Sequence, residues 1–151
     1  MLDRILRPLR QRKTPAPGLL TSELFNAETF HPAFLKDLKV CQSELTIESP
    51  YVTSKGLNQL LPTLQKLKTR KARIVVNTRD PHERDEGHHR EGAHRAVAKL
   101  QHMGVHVLYT GGHHCKLVIL DRKILYEGSH NVLSQNNSSE VMRRIESVQL
   151  A

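Results

Sequence analysis

The segment from His114 to Asn131 constrains this chain more than any other. It reads His-x-Lys-x4-Asp-x6-Gly-Ser-x-Asn, with His114, Lys116, Asp121, Gly128, Ser129 and Asn131 at the fixed positions. Residues 116–120, Lys-Leu-Val-Ile-Leu, are a short apolar run of β-formers and predict a buried strand. Alternate residues of a strand share a face. His114 and Lys116 therefore project together, and Asp121 projects to the opposite side. A tight turn at Asp121–Lys123 leads into a second strand over 123–127, and Ser129 and Asn131, again two apart, face together at its end. Such a hairpin brings one His, one Lys, one Ser and one Asn to a single spot. They supply positive charge, hydrogen-bond donors and a nucleophile to a phosphate-sized anion.

Upstream, helical and extended patterns alternate. A helix over 28–40 delivers Phe34, Leu35 and Leu38 to a core, and a strand over 44–48 follows. Ser54 is positioned to cap a helix whose apolar stripe is Leu57, Leu60, Leu61, Leu64 and Leu67. Pro62 lies inside that stripe and predicts a kink or a division. A strand over 73–77 comes next, then a helix over 89–103 with Ala93, Ala96, Val97, Leu100 and Met103 on one face. Gly104 stops it, and a strand over 105–108 leads toward the motif. That order predicts an α/β sandwich, a mixed β-sheet flanked by helices. Residues 1–20 read as a basic arm, with Arg4, Arg7, Arg10, Arg12 and Lys13, ending in a Pro-rich linker. Residues 21–151 read as one catalytic domain.

The formal net charge of +8 favours a polyanionic partner such as nucleic acid or an acidic membrane surface. Aromatic residues are only 4% and Trp is absent, so the core should be aliphatic and little is left over for docking onto a membrane. The two cysteines, Cys41 and Cys115, make no disulfide framework and fit a reducing compartment. Cys115, between His114 and Lys116, should point away from them into packing. No run reaches the length of a signal peptide or a membrane span, which predicts a soluble, cytoplasmic protein.

Ten histidines invite a metal reading. His82, His88, His89 and His94 cluster in a polar stretch, but His89 and His94 are five apart and fit one helical face poorly. The Glu of a His-Glu-x-x-His motif is missing and no Cys pair is available. No metal site and no cofactor are expected; the stretch reads as a charged loop at the site's mouth, where His82 and Arg79 could touch substrate. His113 and His130 have the wrong strand parity to join the site and read as structural. Gly111 and Gly112 suit a tight turn or a close approach to substrate. Asp121 reads as fixing the hairpin turn or pairing with a nearby base.

The pattern resembles the His-Lys-Asp signature of the phospholipase D superfamily. The similarity runs over about residues 43–149: 47–52, Ile-Glu-Ser-Pro-Tyr-Val, resembles the family's early strand and exit turn, and 73–80 the next strand. Glu140, after Asn136-Asn137-Ser138-Ser139, resembles the downstream Asn-x-x-Glu element, at a shorter gap. The resemblance implies that His114 is a nucleophile forming a covalent phosphohistidine. It also implies that Lys116 and Asn131 neutralise the phosphate, that Ser129 helps to hold it, and that Glu140 orients His114. Gly128 and Asp121 belong to the motif's frame. Such members draw the acid for the leaving oxygen from a second motif, and this chain has one copy. Two chains about a twofold axis would supply both histidines. The expectation is a homodimeric, metal-independent nuclease acting on DNA or RNA. The alternatives are a lipid-cleaving phospholipase and a nucleic-acid-binding or dimerisation module with vestigial catalysis.

Overall fold

A computed structural model describes residues 19–83, 87–134 and 139–151; the basic arm, Arg84 to Glu86 and the stretch 135–138 lie outside them. The described residues form three helices, α1 (Ala27–Val40), α2 (Ser54–Thr69) and α3 (His88–His102), and seven strands. These are β1 (Leu19–Asn26), β2 (Glu44–Glu48), β3 (Arg73–Thr78), β4 (His106–Tyr109), β5 (Leu117–Leu120), β6 (Ile124–Gly128) and β7 (Val141–Ser147). They make one mixed sheet in the order β1-β7-β6-β5-β2-β3-β4. β2, β3 and β4 run parallel. The other neighbours are antiparallel.

One core joins the helices to the sheet. Phe30, Phe34 and Leu38 of α1, Leu57, Leu60, Leu64 and Leu67 of α2, and Ala96 and Leu100 of α3 pack against alternate strand residues. Those strand residues are Leu45, Ile47, Ile74, Val76, Val118, Leu120, Tyr126 and Met142. The core is aliphatic except around Tyr126, where Phe25, Phe30 and Phe34 cluster. The Tyr126 hydroxyl donates to Asp37 at 2.6 Å, and Arg144 also binds that carboxylate, so the polar end of the aromatic cluster is paired.

Several local expectations are corrected. Thr53, not Ser54, caps α2, its hydroxyl accepting from the Gly56 amide at 3.0 Å. Pro62 does not divide α2, which runs unbroken; the proline faces solvent, so the carbonyl it leaves without an N–H partner can be hydrated. Cys115 is exposed rather than packed, because it precedes β5 and has no strand neighbour to cover it. β1 and β7 went unrecognised, and β1 begins at Leu19, inside the stretch read as linker.

Candidate active site

The hairpin turn explains the motif's aspartate. Asp121 and Arg122 adopt φ of 51° and 53°, and the Lys123 amide donates to the Leu120 carbonyl at 3.0 Å. These are the left-handed conformations of a two-residue hairpin turn. The Asp121 carboxylate then accepts from the amides of Gln42, Ser43 and Glu44 and from the Ser43 hydroxyl, at 2.8–3.0 Å. Burial alone would raise its pKa; the amides of Glu44, Ser43 and Gln42 outweigh that and bring it down to about 2. Asp121 thus staples the hairpin to the loop between α1 and β2, at the end of β5 away from His114.

At the other end, His114 and Lys116 meet. His114 is exposed, and the Lys116 ammonium lies 3.2 Å from its Nε2 while donating to its backbone carbonyl at 2.9 Å. An ammonium can donate to Nε2 only when that nitrogen carries its lone pair, which leaves the ring proton on Nδ1. The same lone pair is what a nucleophile needs.

The following strand brings Ser129 alongside. The Gly128 amide donates to the Lys116 carbonyl at 3.2 Å, so Ser129 emerges next to Lys116. A Cβ on Gly128 would meet the Val141 carbonyl oxygen at 2.1 Å, which is why no side chain fits where β6 leaves for the site. Ser129 is bound to β7 by three hydrogen bonds: its amide donates to the Val141 carbonyl at 2.9 Å, its hydroxyl donates to the same oxygen at 3.4 Å, and the Val141 amide donates to that hydroxyl at 3.0 Å. Glu140, one residue before Val141, is therefore held beside Ser129. Its described electrostatic neighbour is His130, whose pKa burial lowers, Glu140 raises and His31 lowers. His130 packs edge-on against Phe30. Asn131 is buried, and its Oδ1 has no hydrogen-bond partner among the described residues. The turn that carries it is held by α2: the Thr53 amide donates to the Leu133 carbonyl at 2.9 Å, and a Cβ on Gly56 would meet that oxygen at 2.4 Å.

A second group of residues grips the peptide just before His114; the sequence had pointed to Arg79 at the site's mouth, but not to Glu48 and Asn77 beside it. Arg79 Nε donates to the His113 carbonyl at 2.7 Å, and its guanidinium lies over the Tyr51 ring, 5.5 Å from the centroid. The buried His113 ring places Nε2 3.3 Å from the Glu48 carboxylate, near enough for an ionic contact but not aligned for a hydrogen bond. Glu48 also accepts from Asn77 at 2.9 Å, and Asn77 accepts from Thr110 at 3.0 Å. The available signal was positional: Glu48, Asn77 and Arg79 stand at or just past the carboxyl ends of adjacent parallel strands, where α/β sheets build sites.

The histidine-rich stretch is engaged elsewhere. His82 contacts Asp80 at 2.8 Å and packs against the His94 ring, centroids 4.6 Å apart. Among the described residues, no group of His, Cys, Asp or Glu is arranged to hold a metal ion. None of the described helices is long and apolar enough to cross a membrane.

Comparison with known proteins agrees with this architecture. A family model described as "Cardiolipin synthase, PLD-like domain" matches residues 34–151. Among solved structures, the phospholipase D family member Nuc from Salmonella typhimurium is similar at 14% identity and TM-score 0.66, covering 84% of this chain and 83% of Nuc. NucT from Helicobacter pylori is similar at 15% identity and TM-score 0.67, covering 85% and 87%. Phosphatidylserine synthase from Haemophilus influenzae is similar at 14% and 0.67, over 90% of this chain but 37% of the synthase. No curated protein matches the sequence.

Proposed function

The chain belongs to the phospholipase D-like domain family, and from that premise we propose that it is a metal-independent phosphodiesterase cleaving DNA or RNA through a covalent phosphohistidine. The observation that carries this reading is the Lys116 ammonium 3.2 Å from Nε2 of an exposed His114. A fixed cation beside an imidazole lone pair is what attack on an anionic phosphodiester requires. The cation holds the non-bridging oxygens while the neutral ring forms the P–N bond.

In the first step, His114 Nε2 bonds to phosphorus and the bond to the leaving oxygen breaks. That oxygen takes a proton from a second, protonated histidine. Water then attacks phosphorus, its proton passes to that histidine, and the P–N bond breaks to restore His114. Asn131 and Ser129 hold the phosphate oxygens, and Glu140 orients the nucleophile by accepting a hydrogen bond from its Nδ1–H. The second histidine is His114 of a partner subunit, because no other His-x-Lys occurs in the chain.

Nucleic acid is favoured as substrate by the +8 charge, and Nuc and NucT share the fold. The family's description and the synthase's fold keep lipid as the second reading. The test is to incubate the protein in EDTA with single-stranded DNA, duplex DNA, RNA and phosphatidylcholine, beside His114→Ala. Cleavage of nucleic acid alone, abolished in the variant, is expected. Cleavage of lipid alone would transfer the assignment. Binding without cleavage in both proteins would leave a binding module.

A further inference from the structure

Charge is unevenly distributed along this chain. Between Glu48 and Asp80 there is no acidic residue, while seven cations occur: Lys55, Lys66, Lys68, Arg70, Lys71, Arg73 and Arg79. The structure shows where they go. α2 begins against the turn that carries Asn131 and ends at the opposite pole of the sheet, where β3 starts. Its exposed positions are Lys55, Asn58, Gln59, Pro62, Gln65, Lys66 and Thr69, spaced by three or four residues and so on one face. That face is acid-free, carries Lys55 and Lys66 among the side-chain amides of Asn58, Gln59 and Gln65, and runs on into Arg70, Lys71 and Arg73, all exposed. On the flanking α3, Lys99 joins it by donating to Asn58 at 3.0 Å.

Ordinary structural needs account for only part of this charge. Lys68 and Arg70 close the end of the helix and its neighbours by donating to the carbonyls of Gly104, Lys39 and Cys41. The side chains of Lys66, Lys71 and Arg73 make no such bond among the described residues. Lys71 adopts φ of 63°, a left-handed position that follows the helix and ordinarily favours Gly or Asn. A lysine stands there although the backbone favours Gly or Asn. The carboxylates at this pole are already committed: Glu44 to Arg122, and Asp121 to the amides of the loop.

We propose that the outer face of α2 and the basic turn at its end form a track for the sugar-phosphate backbone of the nucleic acid whose scissile bond lies at His114. The inference rests on the nuclease reading above. With 16 residues, α2 is roughly 24 Å long, comparable with the axial rise of about seven base pairs at about 3.4 Å each, so it can follow a backbone across several phosphates. Lysines and side-chain amides bind phosphates without reading bases, so the track adds affinity and direction rather than sequence preference.

The test is the triple variant Lys66→Gln, Lys71→Asn, Arg73→Gln, with Asn chosen because it tolerates the left-handed backbone. Binding of single-stranded and duplex oligonucleotides is measured across a salt series, and hydrolysis of bis-p-nitrophenyl phosphate is measured beside it. The log–log salt slope should fall by about two to three, since each phosphate no longer neutralised removes about 0.7–0.9 from it. KM for long oligonucleotides should rise about tenfold at unchanged kcat, and small-substrate hydrolysis should not change. An unchanged slope would overturn the track, as would a parallel loss of small-substrate hydrolysis, which would mean that the charges act through the fold. A wild-type protein that hydrolyses neither substrate would overturn the nuclease reading instead, and the salt slope would still report on the track.

Discussion

Single residues divide here between chemistry and scaffolding, and substitution should separate them. His114 is exposed and Lys116 half-buried, so His114→Ala and Lys116→Ala should abolish turnover and leave Tm unchanged. A fall in Tm matching the loss of activity would make them structural. Asp121→Ala should do the reverse, because it leaves three backbone amides without their acceptor and costs about 1–3 kcal/mol. Urea unfolding at pH 7 measures it, and a fully stable but inactive variant would contradict the staple. Because the folded pKa of Asp121 lies near 2, below the ordinary carboxylate value, its contribution is present above about pH 4. It is lost as pH falls toward 2. The wild type should therefore be destabilised across that window, and Asp121→Asn should show less of the drop. The signature was legible from its spacing and from the hairpin between its halves, although His114 and Lys116 precede β5 and Ser129 and Asn131 follow β6 rather than lying in them. The partners of Asp121 were not, since Gln42 to Glu44 lie nearly eighty positions away and are brought there by the fold.

At the scale of elements, the site depends on how strand ends and a helix start are fastened. Glu48 and Arg79 hold the peptide before His114. Glu48→Ala and Arg79→Ala should lower kcat by about 10- to 100-fold with KM nearly constant, since small misplacements of a nucleophile cost about that much. Glu48→Gln, which keeps the acceptor to Asn77, should retain more activity than Glu48→Ala; equal losses would argue against positioning. Gly56→Ala should push α2 off the Leu133 carbonyl, cost about 1–3 kcal/mol, and lower activity by displacing the Asn131 turn. The alternating helices and strands between 27 and 128 were readable from periodicity. β1 was not: Leu-Leu-Thr-Ser-Glu-Leu-Phe-Asn lacks clean alternation, follows a Pro-rich stretch and is an edge strand completed only by β7. In β7, the adjacent Arg143 and Arg144 hid a half-apolar pattern, because the ion pair that buries Arg144 belongs to distant Asp37.

For the whole molecule, the proposed mechanism needs two histidines at one phosphate and this sequence carries one motif, so the proposal makes activity a property of a dimer. Light scattering and specific activity along a dilution series should fall together, and a monomer with full activity would contradict the shared site. The two histidines must differ in protonation, so kcat/KM should be bell-shaped in pH, with both limbs belonging to the coupled pair. Turnover should survive EDTA; loss restored by magnesium or zinc would place a metal in the mechanism. The charge of the chain was plain in its composition, but its concentration along α2 became visible only once the helix had an outer face.

The central claim is that His114 itself becomes phosphorylated. It is tested most directly by quenching the protein at alkaline pH during turnover of an oligonucleotide, followed by peptide mass spectrometry. A phosphoryl adduct on His114, absent from Lys116→Ala and decaying at the rate of the second step, is the expected result. Single-turnover cleavage that proceeds with no adduct, or with the adduct on another residue, would contradict it.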